Sequence, residues 1–534
     1  MTASTTTETT AKDMFMTVEN PPLVAREIDR TPVVDVVVIG AGLSGVGAAC
    51  QLTRERPGST YVLLEARDAS GGTWDLFRYP GVRSDSDMYT LGYSFRPWSD
   101  PRTIADGPSI LRYVRDTAAA YGVEKHIRYG HRAQSASWDS VTGLWTVRAT
   151  TTGPTGSETT VSFRCRWLSV CTGYYRYDRA HRPTFADEDV FTGRIVSPQH
   201  WPADLDWTGS RVTVVGSGAT AVTLVPTLAA DAAHVTMLQR TPTYIVSLPG
   251  TDPLATLLHR LPLPDKAVSR IMFWKNVVGN VLSFEVAQRW PALAKWTIRR
   301  DLEKQLGGHL DVDEHFSPPY DPWDQRVCVV PDGDLFTAIR EKRASVVTDT
   351  IERFVPDGIL TTSGRVIETD IVVAATGLEM MPWGGLDVTV DGRPVSLPDS
   401  AVYKGMLVSG VPNLNFVMGY TNNSWTLKAD LVSKTVARLL VHFDTHGVDR
   451  VVPRAPADLR RRPFVDLRSG YVQRGIAAFP HQGDRAPWRL HQNYLRDIGV
   501  FRRGFAADPA LHFGSGPTSI TPTTTHALAE ETHV

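Results

Sequence analysis

Short β-branched runs alternate with longer stretches of helical spacing along most of this chain. From Val33, VVDVVVIGAGLSGVGAACQL starts as an apolar strand, passes a glycine-rich turn and continues with small and apolar residues at helical intervals. The same succession returns from Arg211 as RVTVVGSGATAVTLVPTL. Strand, glycine turn and helix in that order open a βαβ unit. Two such openings predict an α/β chain with two dinucleotide-binding, Rossmann-like domains of three layers each.

Between them, Ser135 to Val170 alternates in short pieces around a Gly-Pro-Thr-Gly turn, the pattern of a small antiparallel meander. WLSVCTG (Trp167 to Gly173) closes the first half. TDIVVAATGL (Thr369 to Leu378), another buried strand ending in Thr-Gly, is expected to return the chain to the first domain. The stretch from Leu254 to Leu310 turns helical and carries several tryptophans and basic residues. It is expected as a helical insertion over 254–310, and both a packed cap and an amphipathic membrane-surface helix suit its pattern. The expected division is 32–178 with 370–505 for the first domain and 179–369 for the second. The polar, Thr-rich ends, 1–31 and 506–534, are expected as disordered tails.

Composition narrows the picture. A chain of 534 residues exceeds one compact core, and 42% hydrophobic with 21% charged residues is ordinary for a soluble globular protein. A formal net charge of −1 supplies no overall basic field for nucleic acid. The start, MTASTTTETTAKDMF, lacks the basic-then-apolar order of a signal peptide. No apolar run approaches the roughly 18–20 residues that span a bilayer. Cys50, Cys165, Cys171 and Cys328 show no metal-ligand spacing and are expected as buried small hydrophobes, so a cytoplasmic location is expected.

The first glycine turn holds Gly40, Gly42, Ser44 and Gly45 in GAGLSG, directly after a strand. The first glycine permits the tight turn, the second lets a pyrophosphate approach the backbone, and the third lets helix pack on strand. The helix N-terminus then offers free N–H groups to phosphates. Twenty residues after Gly45, the strand YVLLE ends in Glu65, placed to accept from ribose hydroxyls. An acid there suits FAD or NAD, whose 2′-hydroxyl is free. In the second turn, Gly216, Ser217, Gly218, Ala219, Thr220 and Ala221 form GSGATA, and Thr220 is placed to bond a phosphate. The following strand ends in Gln239 and Arg240, not in an acid. Arg240, helped by Thr241, suits the 2′-phosphate of NADP. One FAD-type and one NADP-type site describe a flavoprotein fed by NADPH. Disulfide reductases of such layout need a cysteine pair, and none here is suitably spaced, so molecular oxygen is the expected electron acceptor.

The segments GGTWDLFRYPGVRSDSDMYTL (Gly71 to Leu91), FTGRIVSPQHWP (Phe191 to Pro202) and NNSWTLKADL (Asn422 to Leu431) resemble the Baeyer–Villiger monooxygenases, a family of class B flavoprotein monooxygenases. The likeness runs from about Val34 to Arg503. It implies that NADPH reduces FAD and that a C4a-peroxyflavin passes one oxygen atom to a small organic substrate. As an anion the peroxide converts a ketone or aldehyde to an ester; protonated, it oxidises sulfur or nitrogen in a thioether, thioamide or amine. By the same resemblance, Arg326 is the arginine beside flavin and nicotinamide, where a fixed cation opposes developing negative charge. Asp85 is the carboxylate that holds this arginine and touches the flavin. Gly72, Thr73, Trp74 and Asp75 are expected to line the flavin. On residue type alone, Asp85 or Asp87 would cap a helix, and Trp74 and Trp425 suit a core as well as a substrate wall.

One departure stands out. The family pattern F-x-G-x-x-x-H-x-x-x-W-P is met by Phe191, Gly193, Trp201 and Pro202, but Ser197 occupies the histidine position. That histidine lies in the linker between domains and supports their coupled motion. Serine carries no positive charge. Three expectations follow: the change is tolerated because Ser197 makes a hydrogen bond, it shifts activity towards heteroatom or NADPH oxidation, or the chain is a silent cofactor-binding protein.

Overall fold

The computed structural model describes residues 31–153 and 156–516. The expected tails fall outside the described residues, apart from Thr31 and residues 506–516.

The strand Val33–Ile39 runs parallel to Tyr61–Leu64 on one side and to Glu158–Val170 on the other. Its last four residues are buried, as expected for a parallel strand covered on both faces. The helix Leu43–Glu55 covers it and packs against the long helix Trp425–His446. The meander consists of His131–Asp139, Leu144–Thr152 and Glu158–Val170, paired antiparallel in that order. Its last strand serves two purposes. The exposed N-terminal half belongs to the meander, and the buried Trp167–Val170 end lies beside Val33–Ile39.

The second sheet is all parallel, in the order Ala344–Thr348, His234–Gln239, Arg211–Val215, Ile371–Ala374, Arg194–Val196. This corrects one expectation. Ile371–Ala374 does not return the chain to the first domain but fills the second sheet between Arg211–Val215 and Arg194–Val196. The cause is a structural echo. Gly40 lies against the Cys171 carbonyl of the first Thr-Gly strand end, and Gly216 lies against the Ala375 carbonyl of the second. Each Thr-Gly end belongs to its own glycine turn, and four buried apolar residues do not reveal which sheet they fill. The chain rejoins the first sheet later, through Asp387–Val390 beside the meander and Leu414–Phe416 beside Glu158–Val170.

The tail boundary also moves. Leu511–Gly514 pairs antiparallel with Arg450–Pro453, and buried Ala510 and Leu511 join the first-domain core. The packed chain therefore extends past the expected end at 505.

The insertion forms the helices Pro253–His259, Asp265–Arg289, Pro291–Leu306 and Val312–Phe316. The long second helix buries only Val268, Met272, Val277 and Ala287, too few contacts for a core helix. Among the described residues no helix is long and apolar enough to cross a membrane.

Candidate active site

At the first turn, Gly40 has φ +100° and any Cβ there would lie 2.6 Å from the Cys171 carbonyl oxygen. A Cβ on Gly45 would lie 1.9 Å from the Gly40 carbonyl oxygen, so helix and turn meet backbone to backbone. Gly72 (φ +56°) faces Gly42 so closely that a Cβ would reach 3.0 Å from the Gly42 Cα. The floor of the cleft between them is therefore bare main chain, suited to a pyrophosphate. Glu65 is buried beside it and accepts from the Ala41 N–H (2.8 Å) and the Arg67 N–H (3.0 Å). Burial raises its pKa. Each carboxylate oxygen keeps capacity for a ribose hydroxyl.

Asp75 is 3% exposed and sits among Arg67, Arg115 (2.8 Å) and Arg78 (3.5 Å). Burial opposes its charge, but the hydrogen bond and charge of Arg67, with the charges of Arg78 and Arg115, hold its carboxyl below the usual range. The Thr73 hydroxyl pairs with the Tyr177 hydroxyl at 3.0 Å. Trp425 stacks on Tyr174 (centroids 5.3 Å apart, 11° between planes), and its indole donates to the Ser44 hydroxyl at 2.7 Å. Trp74 packs against the first core from the cavity wall.

The second turn repeats the design. Gly216 has φ +137°, and a Cβ would lie 2.4 Å from the Ala375 carbonyl oxygen. Gly218 faces open space. The Ser217 hydroxyl bonds the Thr241 carbonyl (3.1 Å) and the Thr243 hydroxyl (2.8 Å), which fixes the end of the strand that carries Arg240. Arg240 is exposed, and among the described residues no ion pair engages it. Thr220 lies against the Tyr79 hydroxyl, and Ala221 is buried beneath the turn.

A cavity of about 1120 Å³ lies between the two turns. It brings together Gly40, Gly42, Ser44, Glu65, Gly72, Thr73, Trp74, Asp85, Ala219, Thr220, Arg326 and Trp425. It does not include Gly45 and Asp75, which brace its wall, nor Gly216, Ser217, Gly218, Ala221, Arg240 and Thr241, which lie beyond it. Arg326 crosses from the second domain and donates to Asp85 at 3.3 Å and to the Tyr174 hydroxyl at 3.4 Å. About a third of each of the two charged side chains is open to the cleft. Tyr174 foremost, then Tyr471, Asp85 and Tyr175, raise the Arg326 pKa despite its burial, so the guanidinium is a permanent cation. Its Nε is buried and has no acceptor among the described residues, leaving that N–H unused by the protein's described groups. The two neighbouring aspartates have separate jobs. Asp87 caps the helix Met88–Leu91 through the Thr90 N–H and accepts from Asn276 of the insertion, while Asp85 holds Arg326.

Sequence reasoning missed the tyrosines. Tyr174 and Tyr175 share a short hydroxyl–hydroxyl hydrogen bond, and burial pushes both pKa values up, so they remain donors. Burial likewise pushes Tyr177 up to about 12. Gln199 donates to the carbonyls of Arg176 (2.8 Å) and Tyr177 (3.1 Å), and His200 Nε2 lies 3.0 Å from the Tyr177 carbonyl. The linker thus touches the cleft wall through Gln199 and His200. The signal was available: YYRY begins four residues past Val170, the end of a parallel strand, where ligand sites of such folds collect. Ser197, by contrast, has a buried hydroxyl with no hydrogen-bond partner among the described residues, so the bond expected of it is absent.

The first glycine turn and the Ala219–Thr220 end of the second meet one cleft, with Arg326 carried across from the second domain, and together they define a two-dinucleotide frame. Comparisons with known proteins agree. Residues 38–101 match the family described as NAD(P)-binding Rossmann-like domain. Over 488 residues, 91% of this chain and 99% of the relative, the sequence is 50% identical to the FAD-containing monooxygenase EthA of Mycobacterium tuberculosis. EthA of Mycolicibacterium smegmatis is 46% identical over 90% of this chain and 96% of its own length. Among solved structures, oxidized steroid monooxygenase bound to NADP aligns with a TM-score of 0.69 at 22% identity, covering 91% of this chain and all of its own. Cyclohexanone monooxygenase bound to ε-caprolactone aligns with a TM-score of 0.65 at 21% identity, over 79% of this chain and 90% of its own. The chain belongs to the FAD-containing monooxygenases. It is a flavoenzyme that contains FAD, with an NAD(P)-binding Rossmann-like domain. The bare main-chain floor and the spare Arg326 N–H fit such cofactors.

Proposed function

We propose that the protein inserts one atom of molecular oxygen into a ketone or aldehyde, giving an ester. NADPH supplies two electrons, one oxygen atom enters the C–C bond beside the carbonyl, and the other leaves as water. Bound FAD supplies hydride acceptance and oxygen activation. Gly40, Gly42, Ser44, Gly45 and Glu65, with Gly72, Thr73 and Trp74, form the FAD cradle, and Asp75 braces it. Gly216 to Ala221, with Arg240 and Thr241, hold NADPH. Arg326 keeps a permanent positive charge at the cleft, where the tetrahedral adduct of a carbonyl substrate carries its negative charge. Asp85 and Tyr174 fix the guanidinium plane, so it need not reorganise as charge develops. The observation that carries this reading is the Arg326–Asp85 pair, joined across the two domains at the wall of the cavity of about 1120 Å³.

A second reading makes sulfur or nitrogen the target. It draws support from Ser197, which lacks the charge of the family histidine and whose hydroxyl makes no hydrogen bond among the described residues. Product analysis with paired ketone and thioether panels separates the two. In Arg326→Ala, ester formation should fall about 100-fold or more, in the range seen when an oxyanion-stabilising donor is lost. A folded, FAD-loaded variant that still makes ester would remove Arg326 from the mechanism. Wild-type protein that makes sulfoxide and no ester from any ketone would establish the second reading.

A further inference from the structure

We infer that the helical insertion is a docking surface for an anionic lipid bilayer, set at the mouth of the substrate cavity. On the helix Asp265–Arg289, Ile271, Trp274 and Leu282 fall at helical spacing on one face and are 44%, 40% and 58% exposed. Trp290 (57%), at the bend, and Leu293 (50%) and Trp296 (55%), on the helix Pro291–Leu306, are further exposed apolar side chains of the insertion. Single exposed apolar residues are ordinary, but a cluster this size on consecutive helices marks a surface built to be covered. Tryptophan in particular favours the bilayer interface, where its ring is apolar and its N–H is solvated.

Charge identifies what covers it. Residues 253–306 carry nine lysines and arginines against four acids, in a chain whose net charge is −1. Glu285 and Glu303 are already paired with Arg289 and Arg299. Arg260, Lys266, Arg270 and Lys304 form no ion pair among the described residues, and Arg300 only stacks over Trp296 at 5.3 Å. A second copy of the same surface would set these cations against each other. An anionic headgroup layer neutralises them while the tryptophans enter the interface.

The surface also leads somewhere. Leu293 is at once half exposed and part of the cavity wall, and the inner face of the long helix lines the cavity through Asn276 and Asn280. A lipophilic substrate dissolved in the bilayer then reaches the cleft without crossing water.

The test is co-sedimentation of the FAD-loaded protein with phosphatidylglycerol-rich or pure phosphatidylcholine vesicles, at low and high salt. Binding should favour the anionic vesicles at least about tenfold and weaken with salt. Arg270→Gln and Arg300→Gln should each lower partitioning about fivefold. Trp274→Ser with Trp296→Ser should abolish it while FAD content and turnover of a water-soluble substrate stay unchanged. Equal recovery in both vesicle types, or none, overturns the proposal. So does a dimer in sedimentation equilibrium that Trp274→Ser dissolves, since a second copy would then be the occupant. If the tryptophan variant does not retain FAD, the arginine variants alone decide.

Discussion

The Trp425 indole donates to the Ser44 hydroxyl, and so the first turn of the helix Trp425–His446 is fastened to the first turn of the helix Leu43–Glu55. Both residues line the cavity. Trp425→Phe keeps an aromatic ring against Tyr174 but removes this donor. FAD affinity should fall about five- to tenfold, the weight of one hydrogen bond near 1 kcal/mol. Fluorescence titration of the apoprotein with FAD measures it, and an unchanged constant would place the bond outside the flavin cradle.

The glycines of the two turns differ in what a methyl group would strike. In Gly45→Ala the new carbon collides with the Gly40 carbonyl, so the protein should lose FAD and fall in Tm. At Gly218 nothing lies within 4 Å. Gly218→Ala should therefore leave Tm and FAD content unchanged while raising the Kd for NADPH by roughly tenfold or more, because a pyrophosphate must approach the backbone there. Equal loss of both cofactors in Gly218→Ala would overturn this division of labour.

Arg240 is an exposed cation, in no ion pair among the described residues, at the end of the strand His234–Gln239. Arg240→Ala should raise the KM for NADPH about 10- to 100-fold, the loss of one charge-assisted contact of about 1.5–3 kcal/mol, and leave the KM for NADH almost unchanged. Parallel losses with both cofactors would show that Arg240 does not meet the 2′-phosphate.

Asp75 gives a pH dependence with a defined sign. Its folded pKa lies below the unfolded value of 3.8, so its pairing stabilises the fold fully above that value and is lost as pH falls through the lower folded one. Asp75→Asn leaves three arginines facing a neutral group and should cost on the order of 3 kcal/mol at neutral pH. The gap between wild type and variant should narrow as unfolding is followed below pH 3.8. A gap independent of pH would mean that the ion pairs contribute nothing.

Ser197→Ala removes a hydroxyl that has no hydrogen-bond partner among the described residues. Stability should change by less than about 0.5 kcal/mol, and steady-state rates by less than about twofold. A large drop in rate would show that the hydroxyl acquires a partner during turnover.

The glycine turns, Glu65 and Arg240 were legible in the sequence because each is a local rule: a strand, a fixed spacing, a backbone that tolerates no Cβ. The Arg326–Asp85 pair was legible only through family resemblance, since no local pattern joins residues 241 positions apart. Ile371–Ala374 was read correctly as a strand but placed in the wrong sheet, because burial of four residues says nothing about neighbours. The tyrosines went unnoticed since a tyrosine pattern has no fixed period. Their roles arise from packing the end of one strand against an arginine from the other domain.

Ser44 and Trp425 stand at opposite ends of the polypeptide, and Tyr174 and Arg326 lie between. During translation, the first glycine turn emerges early with only one side of its cleft, and Trp425 follows late in synthesis. The complete cradle exists only once nearly the whole chain has left the ribosome. A cleft with both walls, Ser44 on one and Trp425 on the other, therefore forms only after most of the chain has been made.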